Sequence, residues 1–134
     1  MTPSPHIDPP LVLIADDEPN ILLSLEFLMK REGLRTCVAA DGTQALAAVQ
    51  RERPDLVLLD VMMPGSLDGL EMCRRLRAQP ATAQVPVILL TARGQQRDIE
   101  AGREAGADTY LTKPFSPMEL LDRIAALLGG SSAR

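Results

Sequence analysis

Three aspartates, a threonine and a lysine stand where apolar runs end. Asp16 and Asp17 follow Leu11 to Ala15, Asp60 closes Leu56 to Asp60, Thr91 closes Pro86 to Thr91, and Lys113 follows Thr109 to Thr112. Carboxylates brought close together repel and raise one another's pKa unless a cation neutralises them. Hard oxygen donors suit Mg²⁺, Mn²⁺ or Ca²⁺ rather than zinc, and Mg²⁺ is commonly held by one or two carboxylates together with phosphate oxygens and waters. The set reads as a half-built Mg²⁺ site that a phosphate would complete. Lys113 could pair with a phosphoryl oxygen or with Asp60, and the Thr91 hydroxyl could donate to the same oxygen. A carboxylate can also attack phosphorus and carry the group as an aspartyl phosphate; Asp60 is the one placed for it.

Taken singly, each residue has a plainer reading. An Asp after a strand is more often a helix N-cap or turn residue, Thr91 an ordinary strand-end residue and Lys113 a solvated surface lysine. Their conjunction changes the odds, because the plain readings give no reason for acids, hydroxyl and lysine to share one edge.

The elements that must position them follow from the patterning. Leu11 to Ala15, Arg35 to Ala39, Leu56 to Asp60, Pro86 to Thr91 and Thr109 to Thr112 read as strands, and the first, third and fourth are continuously apolar, as strands covered on both faces must be. Between them, Ile21, Leu22, Leu25, Leu28 and Met29 recur at helical spacing, as do Ala45, Leu46 and Val49, then Leu70, Cys73 and Leu76, and finally Leu120, Leu121, Ile124, Leu127 and Leu128. Ser116 with Glu119 forms a capping box that puts Pro117 at the first helical position, and Asp68 with Glu71 offers an Asp-led version. Pro54, Pro80 and Gly129 supply stops. Five strands alternating with five helices predict an α/β fold with a doubly wound parallel sheet. In the flavodoxin-like order 2-1-3-4-5, ligands bind beyond the carboxyl ends of the strands, and the first and third strands are neighbours at the switch point. Asp16, Asp17 and Asp60 then converge in one crevice.

Composition narrows the chemistry further. The 134 residues, 46% hydrophobic, suit one domain that buries roughly two-thirds of its unfolded surface. A formal net charge of -4 and 2% aromatic residues argue against direct binding to nucleic acid or an anionic membrane, which needs a basic footprint, and against stacking on bases. No apolar run approaches the roughly 20 residues of a membrane span, and the first ten residues lack the basic start and apolar core of a signal peptide, so a cytoplasmic, soluble protein is expected. Cys37 and Cys73 are far apart and read as small buried hydrophobes, and His6, the single histidine, lies in a Pro-rich tail, which excludes histidine catalysis. Residues 1–9 read as a disordered tail, 10–128 as the domain, and 129–134 as a flexible end or the stub of a linker.

From Leu11 to Leu128 the chain resembles the receiver domains of two-component response regulators, the chemotaxis-regulator-like family. The likeness is carried by "LIADDEPN", "LLDVMMPG" with "DGLE", "VILLTA" and "AGADTYLTKPFSPMELLDRI", four blocks in order at matching separations. The resemblance implies a phosphoacceptor at Asp60, supplied by the phosphohistidine of a histidine kinase, by a phosphotransfer protein or by a small phosphodonor. It implies Mg²⁺, with Mn²⁺ possible, organised by Asp16, Asp17, Asp60 and the backbone carbonyl of Met62. Thr91, Ala92 and Lys113 would bind the phosphoryl group, Tyr110 would exchange between exposed and buried rotamers, and the Lys113 to Pro114 bond would be cis. Met62 and Arg93 would tune the lifetime of the phosphoryl group. The switched surface would be the fourth helix, fifth strand and fifth helix, presented to a partner or output domain by a monomer or a phosphorylation-dependent dimer.

Two departures stand out. Gly65 and Ser66 separate Pro64 from Leu67 where the family usually has one residue, an insertion that bears on the loop path and the start of the third helix. Thr109 stands where relatives that dimerise through the fourth and fifth helices often carry Asp, so one partner for an intermolecular ion pair is missing. Two other functions are compatible with the acids. A Mg²⁺-dependent phosphohydrolase using Asp60 as nucleophile would carry a second Asp two residues on, where Met62 stands, and a cap domain that is absent here. A pseudo-receiver used only for docking would have no need of the intact acids and Lys113.

Overall fold

The computed structural model describes residues 9–65, 67–92 and 96–128, apart from the side chains of 96 and 98. Ser66, Arg93, His6, Gly129 and the two outer tails, 1–8 and 129–134, lie outside them. Ten elements alternate along the chain: β1 (Leu11–Ala15), α1 (Pro19–Arg31), β2 (Arg35–Ala39), α2 (Gly42–Glu52), β3 (Leu56–Asp60), α3 (Gly69–Ala78), β4 (Val87–Ala92), α4 (Gln96–Ala105), β5 (Thr109–Lys113) and α5 (Pro117–Leu127). The strands form one parallel sheet in the order β2-β1-β3-β4-β5, the doubly wound order predicted from the sequence.

Each central strand feeds two cores because successive side chains point to opposite faces. Leu13, Ala15, Val57, Leu59, Val87 and Leu89 pack with Ala45, Ala48, Val49, Met72, Cys73 and Leu76 beneath α2 and α3. Val12, Ile14, Leu56, Leu58, Ile88 and Leu90 pack with Leu25, Met29, Leu120 and Ile124 beneath α1 and α5. This two-sided burial is why β1, β3 and β4 are continuously apolar. Cys73 is buried and donates to Ala105 O at 3.4 Å, whereas Cys37 is half-buried; burial raises the thiol pKa of both.

Helix boundaries follow local chemistry. Ser116 Oγ accepts from Glu119 N at 3.0 Å with Pro117 opening α5, and Asp68 Oδ1 accepts from Glu71 N at 2.9 Å to open α3. Asp41 supplies a third cap, accepting from Gln44 N at 2.8 Å, while Gln44 Oε1 accepts from Ala40 N at 2.9 Å. On either side of Ser66, Gly65 takes φ +90, Met63 and Leu67 are both buried, and α3 begins directly after its Asp68 cap. Among the described residues, no helix is long and apolar enough to cross a membrane.

Candidate functional site

The crevice is built from strand ends. Asp16 follows β1 but stays in the sheet, its N–H donating to Ala39 O at 3.1 Å, and its carboxylate is fully buried. Asp16 Oδ1 accepts from Glu18 N at 2.9 Å, the i to i+2 turn that Asp favours. Asp16 Oδ2 accepts from Lys113 Nζ at 2.8 Å. Asp60 ends β3, 5% exposed, and Asp60 Oδ1 accepts from Met62 N at 3.2 Å in a second i to i+2 turn. Asp60 Oδ2 lies 3.5 Å from Lys113 Nζ. Asp17 is exposed at the rim, and one oxygen from each of Asp16, Asp17 and Asp60 lies within 4.8 Å of the others.

Lys113 ends β5 in register with Ala92, the exposed last residue of β4. Its ammonium meets Asp16, Glu18 Oε1 at 3.4 Å and Asp60, and it is the one cation within 4 Å of these acids among the described residues. Asp60 is pushed up to about 6 by burial and by the Asp16 charge, against the opposing pull of Lys113 and the Met62 N–H. Burial lowers the Lys113 pKa, but the hydrogen bond to Asp16 and the charges of Asp60 and Asp16 outweigh it and the net shift is upward. Carboxylates thus outnumber cations in a poorly solvated crevice, and their hard oxygen donors fit a divalent metal such as Mg²⁺.

Thr91 lies beside this cluster near the end of β4, 1% exposed, and its Oγ1 has no hydrogen-bond partner among the described residues. A buried hydroxyl left unpaired costs about 1–3 kcal/mol. Thr91→Val, which keeps the shape, is therefore expected to raise the melting temperature by roughly a few degrees. A fall in thermal denaturation would mean that the hydroxyl is already satisfied.

Tyr110 sits on β5, 37% exposed, and Arg123 Nη1 donates to Tyr110 O at 2.7 Å and to Thr109 Oγ1 at 2.8 Å. Thr109 is thereby engaged within its own chain. Met62 is 68% exposed, and the Lys113–Pro114 bond is cis. Arg93 lies outside the described residues. The residue that sequence reasoning missed is Glu18, whose only local signal was a third acid after Asp16 and Asp17.

A family model described as the response regulator receiver domain matches residues 12–125. The chain is 46% identical over 117 residues to the DNA-binding response regulator MtrA of Mycolicibacterium smegmatis, covering 87% of this chain and 50% of that one. It thus spans about half the length of the curated relatives it matches. Among solved structures, a candidate response regulator from Chloroflexus aurantiacus superposes with a TM-score of 0.87 at 39% identity, covering 90% of this chain and 98% of that one. The receiver domain of sensor histidine kinase PA1611 from Pseudomonas aeruginosa, solved with a magnesium ion coordinated in the active site cleft, gives 0.83 at 36% identity, with 90% and 98% covered.

Proposed function

We propose, from the premise that this chain belongs to the response regulator receiver domain family, that Asp60 is its phosphoacceptor in a Mg²⁺-dependent reaction with a histidine kinase or phosphotransfer protein. The observation that carries this reading is the convergence of Asp16, Asp17 and Asp60 oxygens within 4.8 Å, with Lys113 reaching two of the three. In the transfer, an Asp60 carboxylate oxygen attacks the phosphorus of phosphohistidine. The new O–P bond forms as the N–P bond breaks, and the departing imidazole nitrogen keeps the electron pair and takes up a proton.

The residues divide this work. Asp16, Asp17, Asp60 and the Met62 carbonyl would hold Mg²⁺, or Mn²⁺ in its place, and the bound ion supplies positive charge to phosphoryl oxygens. Lys113 neutralises further charge once phosphorylation adds about 1.5 to 2 negative charges to a crevice already rich in carboxylates. Thr91 Oγ1, with no partner among the described residues, would donate to a phosphoryl oxygen, and Ala92 would border the same oxygen. Tyr110 and the surface of α4, β5 and α5 would follow through a shift between pre-existing states, presented by a monomer or a phosphorylation-dependent dimer. Met62 and Arg93 would set how easily water reaches the aspartyl phosphate. A cytoplasmic setting and an output carried by a partner or further domain complete the reading, with no direct nucleic-acid contact by this acidic domain.

Incubation with Mg²⁺ and phosphoramidate should attach one hydroxylamine-labile phosphate per chain, and chelation of the metal should suppress it. Asp60→Asn should lower labelling at least 100-fold, because an amide is a far weaker nucleophile than a carboxylate. Undiminished labelling of that variant would overturn the assignment.

A further inference from the structure

Glu18 is the N-cap of α1, a position where a short side-chain oxygen normally accepts from the backbone one turn on. Here the side chain makes no capping bond. Its carboxylate instead reaches across 95 residues to Lys113 Nζ at 3.4 Å, while its own N–H holds Asp16 Oδ1 at 2.9 Å. Glu18 thus touches both members of the Asp16–Lys113 pair. Lys113 is correspondingly 2.8 Å from Asp16 Oδ2 and 3.5 Å from Asp60 Oδ2.

We infer that Glu18 is a positioning residue for Lys113: it draws the ammonium toward Asp16 and away from Asp60, and so limits how firmly Lys113 holds the phosphoryl group. This rests on the phosphoacceptor reading of Asp60. Glu18 is 61% exposed on its side chain, so its charge competes for Lys113 without being buried by it. When Asp60 carries phosphate, Lys113 must leave Glu18 to reach the new oxygens. Glu18 then favours its return and shortens the life of the phosphorylated state. A second effect has the same sign, because an anion at the mouth repels an anionic phosphodonor.

Glu18→Gln preserves size and removes the charge. With wild-type protein, Mg²⁺ and phosphoramidate, the variant should label faster, and its aspartyl phosphate should hydrolyse about 2- to 5-fold more slowly, the size expected for an exposed charge. Glu18→Asp should return the rate toward wild type. The difference between wild type and Glu18→Gln should shrink in 1 M salt, where screening falls to about 3 Å; a purely structural role of Glu18 would leave it unchanged. Equal lifetimes in the two proteins at low salt would overturn the inference, as would slower labelling with weaker Mg²⁺ binding, which would make Glu18 a metal-site acid instead. If wild type itself takes up no phosphate, the phosphoacceptor reading fails first, and the inference with it.

Discussion

Asp60→Asn is expected to make the metal-free protein more stable at pH 8, by about 1–3 kcal/mol. The reason is the same crowding that suits the crevice to a cation. Burial and the Asp16 charge raise Asp60 from 3.8 to about 6 in the folded chain. A carboxyl whose folded pKa lies above its unfolded one binds a proton more tightly when folded. Its contribution to stability is therefore full below pH 3.8, is lost as pH rises from 3.8 through 6, and stays lost above. At about 1.36 kcal/mol per pKa unit, the full cost approaches 3 kcal/mol, an upper bound because Asp16 and Lys113 readjust when one charge goes. Asn keeps the shape, still accepts from Met62 N and carries no charge.

Denaturant unfolding in chelator should show the gap between the two proteins at pH 8 and a smaller gap at pH 4.5, where Asp60 is largely protonated in the folded wild type. Mg²⁺ should then stabilise wild type more than Asp60→Asn, since binding to the folded state adds RT ln(1 + [L]/Kd) and the variant has lost a carboxylate ligand. A variant less stable than wild type at pH 8 without metal would show that Lys113 and the Met62 N–H already overcompensate the charge on Asp60.

The same crevice shows which features a sequence carries on its surface. Asp16, Asp60 and Lys113 could be brought together by reasoning alone, because parallel strands put all their carboxyl ends on one edge and each residue sits at such an end. Strand bounds followed from apolar runs, except that β4 begins at Val87 and ends at Ala92, and β5 takes in Lys113 beyond the expected Thr112. Pro86 has no N–H to enter the ladder, and its carbonyl accepts from Val57 N. Helix α4 was legible only from the alternation of elements. It packs through Gly102 and Ala105, and a Cβ on Gly102 would strike the Leu89 side chain, so little apolar periodicity is written into it. Glu18 was illegible for another reason: its local context describes a helix start, and the lysine that gives it meaning lies 95 residues away.

Gly69→Ala is expected to destabilise the fold by about 1–3 kcal/mol, or more, and to weaken labelling of Asp60 as well. Intrinsic preference points the other way, since Ala in a helix is favoured over Gly by about 1 kcal/mol. Packing decides against it. A Cβ at Gly69 would overlap Asp60 O and lie 2.9 Å from both the Asp60 carbonyl carbon and Val61 Cα, all backbone atoms that cannot rotate aside. The Gly69 N–H also donates to Val61 O at 3.1 Å, pinning the start of α3 to the end of β3. Relief therefore requires α3 to back away from the strand end that carries the phosphoacceptor. Gly65→Ala is the matched control in the same loop: φ is +90 but nothing among the described residues lies within 4 Å, so its cost is backbone strain alone, about 1 kcal/mol. Thermal unfolding and phosphoramidate labelling of the two variants separate the causes. If Gly65→Ala proved the more damaging in both, Asp60 would be positioned by the loop's path and not by the close approach of α3 to β3.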